Sequence, residues 1–406
     1  MVNTSQTIIM SSSIKAFFSI ANLYIGLFCV YNLQGTFYPK GSIVAKIILM
    51  VILIISLYYW VYANIHYKLP NFLKILNILI LMFTIYGLIY QIFCVKMITK
   101  GAVPLNAFEY LKNIYKSLLP IYSCFVFFKK DMLDKSSITL WVPIFLCTCI
   151  GQFYAFSQHV MMNTEYDIDG ITNNRAYDFL SLFPLLYFLK ERRIFQYIML
   201  LIIIFFVIYG MKRGAMLIGF FLLFHFLFSN FQYSTKKQKI LLLILCVSVI
   251  FMGILTIENL MYNNSYFQYR LSQTMEGSSS NREDYYTYFI NHFLTQQDTF
   301  EFLFGGGAFY SVVLVGNEAH NDWLELLISN GVVGAFIYCL YFVSLTVYCS
   351  KNKKMGYNQI IVPYIIFILL KSFFSMSYTA HTIFMTLAIS YAINQINRGI
   401  ADSCNG

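Results

Sequence analysis

The chain has 406 residues, of which 59% are hydrophobic, 19% are aromatic and only 11% are charged, with a mean hydropathy of +0.64. A soluble domain carries roughly 25% charged residues, so this chain has too few polar side chains to cover a soluble surface. The composition excludes a set of soluble domains and indicates an all-α polytopic membrane protein. The net charge of +10 does not indicate nucleic-acid binding, because the basic residues form small clusters between apolar runs, as membrane topology requires.

Apolar runs that are long enough to cross a bilayer recur along the whole chain. A helix needs about 20 mostly apolar residues to span the hydrocarbon core. By that criterion the sequence predicts twelve transmembrane helices, near residues 15–31, 43–63, 72–95, 108–128, 138–157, 176–190, 194–211, 213–229, 239–257, 322–349, 358–376 and 379–397.

The lysines and arginines predict how these helices are oriented. With the N-terminus on the cytoplasmic side, the cytoplasmic connections hold 16 of the 28 basic residues and only 4 of the 18 acidic residues. The outer side then carries 12 basic and 14 acidic residues, in agreement with the positive-inside rule. Both termini are therefore predicted to lie in the cytoplasm.

One long polar connection divides the chain. It covers residues 258–320 on the predicted outer side, and connections of that length are usually functional. The sequence thus predicts helices 1–9 in residues 1–257, a large outer loop in 258–320, and helices 10–12 with a short tail in 321–406. Aromatic residues at helical intervals over Arg282–Phe304 predict an amphipathic helix, which lies either in the membrane interface or against the helix bundle.

Basic residues on the predicted outer side are candidates for binding an anion. Lys212 and Arg213 lie between two predicted helices, whereas Arg270 and Arg282 lie in the long loop. Arginine grips phosphate oxygens through its planar fork and stays charged at any working pH, so these residues indicate a phosphate-bearing ligand near that membrane face. Contact with lipid headgroups, or a salt bridge with an acidic neighbour, is the alternative.

His320, in the segment GNEAHNDWLELL, is the candidate general base. A free imidazole titrates at about pH 6.5, and Glu318 and Asp322 are close enough in sequence to orient this one. A polar tip at the membrane interface is the alternative. Lys371 lies inside an apolar run, where a charge is costly, and is expected to be paired or to face a cavity.

Asp167 and Asp169 form a D-x-D pair, a spacing that can hold a divalent cation on a nucleotide sugar. The pair lies on the predicted outer side, where nucleotide sugars are absent. A solvated acidic loop is therefore the favoured interpretation, and neither a metal nor a cofactor is expected.

Three motifs follow one another around the long outer connection. They are K-R-G-A-M-L at 212–217, S-S-S-N-R at 278–282 followed by F-G-G-G-A-F at 304–309, and H-N-D-W-L-E-L-L-I-S-N-G-V-V-G at 320–334. In this order they resemble the O-antigen polymerase and O-antigen ligase superfamily of bacterial envelopes. The resemblance covers roughly residues 205–345, whereas the N-terminal half agrees only in being helical.

The resemblance implies roles for individual residues. Arg213 and Arg282 fall on positions that bind the diphosphate of the donor, and His320 falls on the position that activates the acceptor. Four further residues complete the predicted substrate-binding set, of which Arg175 resembles a less regular basic position and Arg270 has no clear counterpart. This further set is Arg175, Lys212, Arg270 and Asn321.

The resemblance also implies a reaction. An O-antigen polymerase joins polyprenyl-diphosphate-linked oligosaccharides on the periplasmic face of the bacterial inner membrane, here expected without a metal and with inversion. The expected partners are the lipid-linked donor and acceptor and membrane lipid, with a chain-length regulator as a further candidate. Two alternatives are a ligase that transfers glycan to the lipid A core and a flippase of lipid-linked oligosaccharides. The two related halves that are common in transporters are not found.

Overall fold

The computed structural model describes residues 19–93, 98–100, 103–163, 173–232, 235–263, 268, 271–272, 275, 282–295 and 298–405. Nearly all of this part is helical, which confirms the all-α class. The α-helices are α1 (Ile20–Asn32), α2 (Ile43–His66), α3 (Asn71–Phe93), α4 (Ala107–Leu118), α5 (Pro120–Lys129), α6 (Lys135–Asn163), α7 (Ala176–Leu180), α8 (Arg193–Tyr209), α9 (Arg213–Gln232), α10 (Lys236–Asn263), α11 (Arg282–Leu294), α12 (Thr299–Phe304), α13 (Tyr310–Val315), α14 (Asp322–Lys351), α15 (Asn358–Phe374) and α16 (Ile383–Asn405). Two 3₁₀ helices cover Phe183–Leu189 and Lys353–Met355, and the short strands Thr99–Lys100 and Val103–Pro104 pair antiparallel.

Six helices in the described part are long and apolar enough to cross a membrane. They are α2, α3, α6, α9, α10 and α14. Helices α1, α8 and α15 and the segment Ala176–Leu189 are apolar but shorter. Each of the twelve predicted segments contains helix where it is described, but twelve membrane crossings stay a prediction.

Two predicted helices are divided. The segment predicted at 108–128 forms α4 and α5, and the one at 176–190 forms α7 and a 3₁₀ helix. Pro120 is the first residue of α5, and Pro184 lies in the first turn of the 3₁₀ helix. Proline has no amide hydrogen to continue a helical ladder, which favours a break at both positions.

The interior of the bundle is built around α5 and α16. Every residue from Pro120 to Phe128 is buried, as is every residue from Ile383 to Asn394. The two helices are joined by hydrogen bonds from the Asn394 amide to the Phe128 carbonyl (3.2 Å) and from Ser390 to Ile121 (3.1 Å). By contrast, α2, α9 and α10 expose many large apolar side chains, which is the surface that hydrocarbon covers in a membrane.

The predicted cytoplasmic connections meet at one end of the bundle. Lys135 forms an ion pair with Glu191, and Arg398 forms one with Asp131. The opposite end, called the site end below, holds the beginnings of α7, α9 and α14 and the end of α15. Which of the two ends faces the cytoplasm stays a prediction.

The outer region differs from its prediction in two respects. Helix α10 runs to Asn263, past the predicted boundary at residue 257. A single helix over Arg282–Phe304 is wrong, because α11 ends at Leu294 and Asp298 caps a separate α12 through the amide of Phe300 (2.8 Å). Phe289 of α11 is fully buried in a cluster with Ala319 and Ile328. Helix α11 therefore packs against the bundle, one of the two predicted alternatives. The division into three regions otherwise stays a prediction.

Helix α14 is broken at Gly331, and the glycine segment Gly305–Gly307 fills the break. Gly331 adopts φ +66° and ψ −168°, which interrupts the helical hydrogen-bond ladder. The amides of the second and third glycines donate to the carbonyls of Ile328 and Ser329, both at 3.0 Å. A Cβ at Gly305 or Gly331 would lie 2.4 Å from backbone atoms of the opposite segment, so the contact requires glycine on both sides.

Candidate functional site

Arg213 begins α9 at a point where three helices meet. A Cβ on the next residue, Gly214, would lie 2.5 Å from the Tyr177 hydroxyl oxygen and 2.9 Å from Phe374 Cβ. Because glycine has no Cβ, the first turn of α9 touches both α7 and the end of α15. Arg213 itself is exposed, and its neighbour Lys212 is half-buried.

Arg175 immediately precedes α7 at the same group of helix ends. Asn173 fixes the turn through two hydrogen bonds. Its side-chain oxygen accepts the backbone amide of Arg175 (2.9 Å), and its backbone amide donates to the carbonyl of Gly210 (2.9 Å), just before α9. The Arg175 guanidinium donates to Asp178 at 3.1 Å. The structure thus places Arg175 and Arg213 on two segments that are bound to each other.

His320 immediately precedes α14, in a backbone conformation that residues other than glycine rarely adopt, with φ +52°. Residues held in such conformations cluster at functional sites. Asn321 caps α14 by accepting two backbone amides of its first turn, at 2.9 and 3.2 Å. The amide nitrogen of Asn321 donates to the Phe373 carbonyl at 3.2 Å, which ties this segment to the end of α15.

The end of α15 therefore joins the two halves of the predicted site. Phe373 is bonded to the residue that follows His320, and Phe374 touches the residue that follows Arg213. The indole of Trp323 adds a second link from α14 to α15 through the Ser372 hydroxyl (3.0 Å). His320, Arg213 and Arg175 lie on segments that converge on one end of the bundle, although they are far apart in sequence.

Asp322 is fully buried, and its carboxylate is used within the fold. It accepts the Tyr338 hydroxyl at 2.6 Å and the amides of Ser377 (2.8 Å) and Tyr378 (3.3 Å). The sequence predicts that Asp322 orients His320, but these three donors instead give it the role of holding the 375–378 turn against α14.

Glu325 is also buried and has a similar role on the other side of His320. It accepts the Ser311 hydroxyl (2.7 Å), the Ala319 amide (2.9 Å) and the Ser329 hydroxyl (3.1 Å). Glu325 and Asp322 together fix the backbone on both sides of the histidine.

Three lysines carry further positive charge at the site end. Lys40 and Lys116 both interact electrostatically with Arg175, and Lys371 interacts with Arg175 and Asp178. Lys371 is only 4% exposed, and its ammonium lies 5.0 Å from the ring centroid of Tyr177. Lys371 is thus in cation–π contact with Tyr177, but no salt bridge to it is found in the described part of the chain. Sequence reasoning missed Lys116, because it follows no motif and lies far along the chain from its neighbours.

Lys40, in the connection between α1 and α2, responds to these charges. Partial burial, followed by the positive charge of Arg175, lowers the pKa of Lys40 from its ordinary value.

The remaining predicted residues are less completely placed. Arg282 is the first residue of α11, and its side chain lies outside the described part. Phe289 of the same helix packs beside Ala319, which is the neighbour of His320. Arg270 and the acidic pair Asp167 and Asp169 also lie outside the described residues.

The comparisons with known proteins bear on the segment that carries most of this site. Residues 198–339 match the family described as O-Antigen ligase. The match confirms the resemblance to the O-antigen polymerase and ligase superfamily. Arg213, Arg282 and His320 lie inside the matched segment, whereas Arg175 and Lys371 lie outside it. No curated protein and no solved structure matches the chain.

The superfamily match has consequences for activity and location. It covers less than half of the chain and shows a similarity to a family of enzymes that act on lipid-linked sugars. With the six apolar helices, it indicates an integral membrane protein. It gives no support for a chain-length regulator as a partner.

Proposed function

We propose that this protein polymerises polyprenyl-diphosphate-linked oligosaccharide repeat units into a surface polysaccharide, on the periplasmic face of the inner membrane. The observation that carries the proposal is the convergence of Arg213, Arg175 and His320 at the end of α15, by way of Gly214 and Asn321. Arginines beside a candidate base are what transfer from a lipid diphosphate requires, because charge develops on the leaving diphosphate as the acceptor loses a proton.

The proposed reaction is a single displacement. The acceptor hydroxyl oxygen attacks the anomeric carbon of the donor sugar, while the bond from that carbon to the diphosphate oxygen breaks. His320 takes the hydroxyl proton, which is worth typically 10²–10⁴-fold in rate for a positioned base. Arg213 and Arg282 hold the diphosphate and stabilise its charge, with Arg175, Lys212 and Arg270 as further substrate-binding candidates. Attack from the face opposite the leaving group gives inversion.

Asn321 has a different role from the one predicted for it. Its oxygen caps α14 and its nitrogen is bonded to Phe373, so it positions His320 relative to α15. We therefore propose Asn321 as a positioning residue and not as a substrate ligand.

A ligase is the second candidate, because the matched family is described as O-Antigen ligase. A ligase accepts the phosphorylated core of lipopolysaccharide, for which a broadly basic outer surface is expected. The predicted outer side carries 12 basic and 14 acidic residues, a balance that favours a polymerase whose acceptor is another lipid-linked repeat.

Deleting the gene and separating the lipopolysaccharide on a gel decides between the two. Loss of a polymerase leaves core capped with a single repeat, since ligation still proceeds. Bare core, with polymer left on the polyprenyl carrier, would replace the polymerase assignment with the ligase. Bare core, with single repeats left on the polyprenyl carrier in the cytoplasmic leaflet, would indicate the flippase instead.

A further inference from the structure

Lys371 is a buried cation without a direct anionic partner. Its side chain is 4% exposed, and its ammonium lies 5.0 Å from the Tyr177 ring centroid and 5.4 Å from that of Phe367. Within the described part of the chain, no carboxylate lies within 4.0 Å of this ammonium and it makes no hydrogen bond. A charge in apolar surroundings is costly unless it is paired, and aromatic faces compensate only a part of that cost.

The charges around Lys371 do not cancel. We call the Arg175 cluster six of the residues that interact electrostatically at this place, namely Lys40, Lys116, Arg175, Asp178, Asp322 and Lys371. Lys112 also acts on Lys116, but the ion pair with Glu109 balances the charge of Lys112. Of the six, four are cations and two are carboxylates, which leaves an excess of two positive charges. Both carboxylates already have partners other than Lys371, since Asp178 binds Arg175 and Asp322 accepts three donors from α14 and the 375–378 turn.

The cluster is separate from the pair Lys212 and Arg213. That pair lies at the beginning of α9, and Gly214 contacts the Tyr177 hydroxyl, whereas Lys371 lies over the ring of the same tyrosine. Tyr177 thus stands between the Arg175 cluster and this pair. A diphosphate diester carries two negative charges, which match the two excess positive charges of the Arg175 cluster.

We propose that Lys371, Lys116 and Arg175 form a second anion-binding subsite, which takes the diphosphate of the polyprenyl-linked acceptor. This inference rests on the proposed polymerase function, because a polymerase must hold two polyprenyl diphosphates at once and a ligase holds one. The position of Lys371 within an apolar helix suits a lipid ligand. Its isoprenoid chain stays in hydrocarbon while its diphosphate reaches the ammonium at the end of α15.

The test is the number of undecaprenyl diphosphate molecules that the full-length protein binds in nanodiscs of phosphatidylcholine, measured with radiolabelled ligand. The wild type is expected to bind two. Lys371→Gln and Arg213→Gln should each bind one, and the double variant none. Lys116→Gln should weaken one of the two sites by roughly 10- to 100-fold, the effect of losing a charge-assisted bond.

Lys112→Gln is the matched control, since Lys112 lies one turn from Lys116 on α4 but is paired with Glu109. The Lys112→Gln variant should still bind two molecules of undecaprenyl diphosphate. If Lys371→Gln does not reach normal membrane levels, Lys116→Gln decides, because Lys116 is only half-buried. Two full-affinity sites in both lysine variants would overturn the proposal.

Two further comparisons distinguish this inference from binding of phospholipid headgroups and from failure of the proposed function. Replacing phosphatidylcholine by phosphatidylglycerol should not abolish the second site, and its loss there would mean that phospholipid headgroups occupy it. One bound molecule in the wild type, together with core capped by a single repeat in the gene deletion, would overturn the inference but leave the polymerase assignment intact. Bare core in the deletion would overturn the assignment itself, whatever the stoichiometry.

Discussion

Arg213 and His320 perform different parts of the proposed reaction, and single substitutions test them separately. We expect Arg213→Ala and His320→Ala each to abolish glycan extension, with protein at normal membrane levels. Arg213→Lys should also lose most activity, because an ammonium cannot reproduce the bidentate grip of guanidinium on phosphate. The assay is restoration of long-chain polysaccharide in the deletion strain.

Arg192→Ala serves as the matched control for this experiment. Arg192 is exposed and lies just before α8, at the predicted cytoplasmic end, so its loss should leave extension unchanged. Normal chain lengths in Arg213→Ala or His320→Ala would remove that residue from the mechanism.

Among the elements, α9 depends on one glycine for its position. Gly214→Ala should lower activity strongly, because a methyl group 2.5 Å from the Tyr177 hydroxyl and 2.9 Å from Phe374 forces α9 away from α7 and α15. Gly253→Ala in α10 is the control, since its Cβ would meet only Ile208 at an ordinary 3.8 Å and alanine favours a helix by about 1 kcal/mol.

Polysaccharide chain length and membrane level are measured for both glycine variants. We expect Gly253→Ala to match the wild type in both, and Gly214→Ala to retain its membrane level while losing long chains. Full activity of Gly214→Ala would mean that the contact of α9 with α7 and α15 does not position Arg213.

The positions of the helices follow from the sequence more closely than their interruptions do. Apolar length locates the segments, because each must satisfy its backbone internally in hydrocarbon. Proline does not predict the breaks by itself. Pro120 and Pro184 coincide with divided segments, whereas Pro143 and Pro363 lie inside the continuous helices α6 and α15. Whether a proline interrupts a helix is decided by packing against neighbouring helices, and a single sequence does not show that packing.

A part of the candidate site can also be predicted from the sequence. Arg213 and His320 stand in motifs that resemble a known family, so the sequence singles them out. Lys116 and Lys371 stand in no motif, and only the folded chain brings them to Arg175. The role of Asn321 also depends on a partner, Phe373, that lies 52 residues away.

At the scale of the whole molecule, the orientation in the membrane is the main open prediction. Single cysteines introduced at 236–239 and 351–354 into a cysteine-free background should react with a membrane-impermeant maleimide only after lysis. Cysteines at 282–288 should react in cells whose outer membrane has been permeabilised. The reason is the excess of basic residues on the predicted cytoplasmic side. Protection of 282–288 in such cells would reverse the orientation and move the candidate site to the cytoplasm.

The glycine junction between Gly305–Gly307 and the break in α14 limits how this protein can be re-engineered. The segment ahead of α14 supplies backbone donors to Ile328 and Ser329, so it and the helix form one structural unit. A chimera that exchanges only the outer loop between relatives would leave those carbonyls facing a foreign partner. Exchange of sugar specificity should therefore succeed only when the fragment taken from the relative runs from before Arg282 to beyond Gly334. Such a fragment transfers both halves of the junction together.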